Sequence, residues 1–142
     1  MVDRDLIMAK AGSVRRHCQR IRDKANVDIE VFNTDLERQE SIMFNLQMAV
    51  RNCIDLAAHI VSEEGYGVPG SSNEMFYMLE ENHLIDRPLT EKMVKAVGLR
   101  NLMVHEYAKI DLNKIFHVVQ TEINDLEEYI KELIVKTASS PH

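Results

Sequence analysis

Residues 35–64, DLERQESIMFNLQMAVRNCIDLAAHIVSEE, decide the fold. Within them Leu46, Val50, Cys53, Ala57 and Ile60 recur in alternating steps of four and three, the repeat of one face of an α-helix. Ile42, Ala49 and Leu56 widen that stripe on one side, so this helix is expected to meet more than one neighbour. The run stops at Gly65-Tyr66-Gly67-Val68-Pro69-Gly70, a breaker rich in glycine and proline.

The same periodicity organises the chain on both sides. Towards the N-terminus Ile7, Ala11, Val14, Cys18, Ile21 and Ala25 form one stripe, which predicts a helix from about Asp3 to Ala25. The link Asn26–Thr34 carries Val27, Ile29, Val31 and Phe32 and reads either as an extended piece or as part of the hairpin packing. Beyond the breaker, Ser71 with Glu74 reads as a capping box that opens a short helix through Phe76, Leu79 and Glu81. Asn82–Leu89, with Arg87-Pro88 inside it, reads as a loop, and Thr90 as the N-cap of a fourth helix. Asp111 caps a fifth, in which Leu112, Ile115, Val119, Ile123, Leu126, Ile130 and Leu133 keep a heptad rhythm. Three long and two shorter helices joined by modest loops predict an all-α, antiparallel bundle of about five helices. One domain is expected over residues 1–137, with a frayed polar tail at 138–142.

Composition agrees with this class and removes others. A chain of 142 residues buries one sizeable core, and 5 Gly with 3 Pro leave little material for a turn-rich β architecture. The formal net charge of −6 excludes broad affinity for nucleic-acid phosphates, so any RNA binding must come from a local patch. Cys18 and Cys53 fall on apolar helical faces without a CxxC partner, which argues against a metal site or a disulfide and suits a reducing compartment. Met1-Val2-Asp3-Arg4-Asp5 lacks the pattern of a signal peptide, and no apolar run approaches the length of a membrane span. A cytoplasmic protein is expected.

The binary pattern breaks in the fourth helix. Met93, Val97 and Val104 define its apolar side, yet Arg100 lies about 60° from Val97 and Asn101 about 40° on the other side, at 100° per residue. An unpartnered buried charge is costly, so such a residue must be paired or sit at a cleft. His105 follows Asn101 by one turn, and Tyr107 follows Arg100 by two if the helix persists. Arg, Asn, His and Tyr in one place suggest phosphodiester cleavage without a metal. Histidine moves protons near neutral pH, and arginine binds a phosphate through two parallel hydrogen bonds.

Arg100-Asn101-Leu102-Met103-Val104-His105-Glu106-Tyr107 matches the R-x4-H-x-Y pattern of HEPN-domain proteins, and the chain most resembles HepT-type toxins encoded beside MNT-type minimal nucleotidyltransferase antitoxins. Asp3-Arg4-Asp5-Leu6-Ile7, Leu56-Ala57-Ala58-His59-Ile60 and the Asp111 helix start carry the resemblance over nearly the whole chain. The resemblance implies a HEPN bundle forming a symmetric homodimer, with the motifs of both protomers at one cleft. It implies a metal-independent endoribonuclease, the toxin of a type VII-like pair, with Arg100 and His105 catalytic, Asn101 supporting and no cofactor. It also implies neutralisation by AMP transfer to Tyr107. A second reading stays open at this point: a non-catalytic HEPN subunit that binds and orients a nucleotidyltransferase.

Secondary features are read more plainly. Arg15, Arg16, His17, Arg20, Arg22 and Lys24 make residues 11–25 the most basic segment, and Arg15 and Arg22 at the core edge are candidate RNA contacts. A solvated helix face explains the same charges. Asn45, Asn52 and His59, seven residues apart, read by default as the polar border of a buried helix.

Overall fold

The computed structural model describes residues 2–138. Among them every regular element is helical: α1 Arg4–Ala25, α2 Ile29–Thr34, α3 Leu36–Glu63, α4 Ser72–Glu81, α5 Arg87–His105, α6 Leu112–Thr121 and α7 Ile123–Ala138, with one 3₁₀ turn at Tyr107–Lys109. Apart from Ala138, which ends α7, the tail expected at 138–142 lies outside the described residues.

The α1–α3 pair makes the most extensive helix contact in the bundle. Its apolar seam is the one anticipated, with Ile7, Ala11, Val14, Cys18 and Ile21 fully buried on α1 and Ala49, Cys53, Ala57 and Ile60 fully buried on α3. The heptad row of α3 stitches its border. Asn45 Oδ1 lies 2.8 Å from His17 Nδ1, and Asn52 Nδ2 donates to Ser13 Oγ at 3.2 Å. His59 Nε2 accepts from the Asp3 amide at 3.0 Å. Residue numbers fall on one helix as they rise on the other, so α1 and α3 are antiparallel. The polar-border reading of this row therefore holds, with α1 as the partner.

Both thiols sit inside this seam. Burial pushes Cys18 up to about 12, helped by the nearby Glu127 carboxylate, and raises Cys53 well above the ordinary thiol range. They stay protonated and serve as small apolar side chains. Tyr129 of α7 closes the far side of α3: its hydroxyl donates to the Cys53 carbonyl at 2.8 Å and its ring meets Phe76 edge-on.

Several expectations need correction. The link after α1 is not extended but forms α2 and belongs to the packing, because Phe32 is drawn into the core against Phe116 at 5.2 Å. Gln39 Nε2 donates to the Phe32 carbonyl at 2.7 Å and fixes the turn into α3. The fourth of the expected helices, α5, begins at Arg87, not after Thr90. Asp86 is its N-cap, accepting from the Leu89 amide at 2.9 Å. Pro88 stands in the first turn, where a missing N–H is harmless. Thr90 is instead wholly buried and donates its hydroxyl to the Asp86 carbonyl at 2.8 Å. The heptad after Asp111 runs through two helices, α6 and α7, which meet at Glu122. The stripe Ile115, Val119, Ile123, Leu126 and Ile130 stays buried across that junction. Thr121 donates its hydroxyl to the His117 carbonyl there, a back-bond that favours a bend.

Asp86 sets where α5 starts and hence the register of everything it carries. Asp86→Ala removes the capping acceptor and should destabilise the fold by about 1 kcal/mol, with Asp86→Asn largely retained. Urea unfolding of the three proteins checks this; equal midpoints would show that Pro88 alone defines the helix start.

Candidate active site

The buried residues of α5 are Leu89, Thr90, Met93, Val97 and Met103. Arg100 takes the step between Val97 and Met103, so the sequence places a guanidinium on the stripe that faces the bundle. Its side chain is half-buried, and its Nε is shielded from solvent with no hydrogen-bond partner. Its terminal nitrogen donates to Asn101 Oδ1 at a long 3.4 Å. Among the described residues no carboxylate pairs with Arg100, whereas Arg22, Arg38 and Arg87 each have one. An orphaned Nε on a guanidinium without a carboxylate partner leaves hydrogen-bonding capacity that an anion can take up.

The apolar side of α5 is not the one read from the sequence at its C-terminal end. Met103 is buried, whereas Val104, two turns beyond the buried Val97, is 45% exposed. Asn101 is exposed and does not intrude on the core. The inward-facing stripe thus outruns the bundle that covers it.

The four motif residues are partly brought together. Asn101 and His105 stand one turn apart on the same face of α5, and both are exposed. His105 is the last helical residue, and no hydrogen bond among the described residues restrains its ring. Tyr107 does not continue the Arg100 side of the helix, because Glu106 leaves the helical conformation at φ −138° and ψ 46°. Tyr107 opens the 3₁₀ turn, 54% exposed, and the Glu106–Lys109 ion pair at 3.2 Å spans it.

The two α1 arginines differ. Arg22 pairs with Glu127 and donates to Asn124 at 2.6 Å, tying α1 to α7, so its charge is already satisfied. Arg15 is exposed and makes no ion pair among the described residues. No group of three or more His, Cys, Asp or Glu among the described residues converges as a metal site. No described helix is long and apolar enough to cross a membrane.

Residues 14–133 match the family model of HepT-like ribonucleases. The chain belongs to the HepT-like ribonuclease family. It is 38% identical over 126 residues to the mRNA nuclease HepT of Shewanella oneidensis, covering 89% of this chain and 94% of that one. It is 23% identical over 128 residues to the tRNA nuclease HepT of Aphanizomenon flos-aquae, covering 90% and 87%. Among solved structures it matches the tri-AMPylated HEPN toxin of Shewanella oneidensis in complex with an MNT antitoxin, with a TM-score of 0.85, 37% identity and coverage of 94% and 98%.

One cavity of this HepT-like chain lies outside what the sequence reading anticipates. A groove of about 540 Å³ opens between α5 and α6, with α3 and α7 beneath it. Leu99 and Leu102 were the readable signal: they lie on a second apolar face of α5 that the core stripe does not use.

Proposed function

We propose that this chain is a metal-independent endoribonuclease toxin, held in check by AMP transfer to Tyr107 from an MNT-type nucleotidyltransferase antitoxin. The observation that carries the reading is Arg100, an unpaired guanidinium on an inward-facing stripe next to Asn101 and in the same motif as His105. In the proposed reaction Arg100 holds the scissile phosphate and neutralises the added charge of the transition state. The RNA 2′-oxygen attacks the adjacent phosphorus, its proton passing to a histidine, and the 5′-oxygen leaves with a proton from a second one. The products are a 2′,3′-cyclic phosphate and a 5′-hydroxyl.

Two histidines with opposite tasks require two motifs, which a symmetric homodimer supplies. Val104 supports this arrangement: an apolar side chain inside the motif and 45% exposed, it is available to a covering surface. Arg15 remains a candidate RNA contact at the periphery, and Arg22, engaged by Glu127, a weaker one. In the neutralising step the Tyr107 oxygen attacks the α-phosphorus of ATP, losing its proton, and pyrophosphate leaves. The exposed position of Tyr107 on a turn makes it reachable by another protein.

Purified, unmodified protein incubated with RNA in excess EDTA tests the reaction. Undiminished cleavage with cyclic-phosphate ends is expected. Activity that vanishes with EDTA and returns with a divalent ion overturns the scheme.

A further inference from the structure

The groove between α5 and α6 runs from two ion pairs towards the α5–α6 turn. At one end the ion pairs Lys92–Asp125 and Lys95–Glu122, both 3.4 Å, cross from α5 to the α6–α7 junction. At the other the chain itself turns from α5 into α6 through the 3₁₀ turn that carries Tyr107. Leu102 before that turn and Lys114 after it both line the groove. From Lys92 to Leu102 the α5 wall spans roughly 15 Å at 1.5 Å per residue.

The interior is apolar. Leu99 and Leu102 of α5 face Val118 of α6 and Leu126 of α7 over a floor of Leu46 and Val50 of α3. Gly98 lies on the wall, and a Cβ added there would meet nothing within 4 Å. At the open edge a polar shelf continues along α6 with Asn113, Lys114, His117 and Thr121. Lys114 borders both the chamber and the shelf, and among the described residues it has no carboxylate partner. An apolar chamber of ligand size, whose rim carries Lys114 without a described carboxylate partner while Glu122 and Asp125 are engaged by Lys95 and Lys92, fits a base attached to a phosphate.

The geometry points to this groove as a nucleotide pocket, with the base between Leu99, Leu102 and Val118 and the phosphate at Lys114. One nucleotide chemistry has two sources here: a residue of the RNA strand next to the cleaved bond, or the adenylyl group carried by Tyr107. The inference rests on the ribonuclease and AMP-transfer reading above for its sources, but the pocket itself is tested without either.

Gly98→Leu fills the slot from a helical position that tolerates a side chain, and Lys114→Ala removes the cation from the opposite wall. Free AMP titrated into unmodified protein should shift the amide resonances of Leu99, Leu102 and Val118, and should not do so in Gly98→Leu. If RNA is the source, both variants raise KM for an oligonucleotide by about tenfold with little change in kcat. If the adduct is the source, RNA kinetics stay at the wild-type value, and phosphodiesterase strips AMP from Tyr107 of both variants about tenfold faster. Absence of AMP-induced shifts, with unchanged KM and unchanged stripping rate, overturns the pocket. A wild-type chain that gains no AMP mass when co-expressed with its nucleotidyltransferase overturns the regulatory reading instead, and the AMP titration and RNA kinetics still judge the pocket. Should Gly98→Leu fail to fold by circular dichroism, Lys114→Ala at the exposed rim carries the same measurements.

Discussion

His105→Ala and Arg100→Ala each lower RNA cleavage by about a hundredfold to ten-thousandfold, while the bundle keeps its helical signal and melting temperature. The size of the loss for His105 follows from general acid–base catalysis, which contributes on that order when one positioned proton carrier is removed. For Arg100 it follows from charge stabilisation of the pentavalent transition state in a site partly shielded from water. The two variants differ in what else they touch. His105 is exposed at the end of α5 and without a restraining hydrogen bond among the described residues, so its removal costs the fold nothing. Arg100 holds its Nε away from solvent without a partner, a state that costs stability in the unliganded protein. Arg100→Ala, and more so Arg100→Met, should therefore leave the protein equally or slightly more stable while abolishing cleavage. A charge retained against stability and needed for turnover marks a site built for an anionic ligand. Arg100→Lys separates charge from shape: a compact ammonium cannot hold a phosphate through two parallel bonds, and activity should recover only in part. Gel-resolved cleavage rates with thermal melts for all four variants decide this; an Arg100→Ala protein that cleaves normally removes Arg100 from the site.

Arg100 was legible because a helical stripe exposes any misfit. Val97, Arg100 and Met103 step by threes along the face that meets the core, and only one of them is charged. The position of Tyr107 was not legible in the same way. Periodicity extrapolates a helix until something ends it, and α5 ends at His105 without glycine or proline to announce it. The start of α5 was misplaced for the opposite reason. Pro88 reads as a breaker, yet in the first turn it is compatible with the helix, and Asp86 rather than Thr90 supplies the cap. Thr90 is a cap by composition alone; its burial made it a core residue with its hydroxyl returned to the backbone. The antiparallel α1–α3 seam followed from two apolar stripes, but the pairing of Arg22 with Glu127 needed knowledge of where α7 lies. Groove formation was likewise hidden: it depends on α5 and α6 diverging from their shared turn, a property of packing angles and not of either helix.

Tyr107→Phe should escape neutralisation altogether. Co-expressed with a cognate nucleotidyltransferase, the wild-type chain is expected to gain mass in AMP steps and lose RNA cleavage, whereas Tyr107→Phe keeps its unmodified mass and cleaves RNA as the unmodified wild type does. The substitution deletes one oxygen from a side chain that is 54% exposed and makes no hydrogen bond among the described residues, so folding is unaffected. Its effect on regulation is all-or-none because the phenolic oxygen is the attacking atom in the proposed transfer. The physics of the block follows from Arg100. Each adenylyl group brings a phosphodiester with one negative charge to the turn just beyond α5, and the nearest unpaired guanidinium in sequence is the one that would otherwise receive the RNA phosphate. Like charge then opposes the substrate, and the nucleoside occupies its space. The electrostatic share of that block is screened by salt and the steric share is not. Residual cleavage by the AMP-bearing protein should therefore stay low as ionic strength rises if bulk dominates, and recover if charge does. Should Tyr107→Phe still acquire AMP and fall silent, a different residue is the acceptor, and the exposed tyrosine of the 3₁₀ turn has no regulatory part.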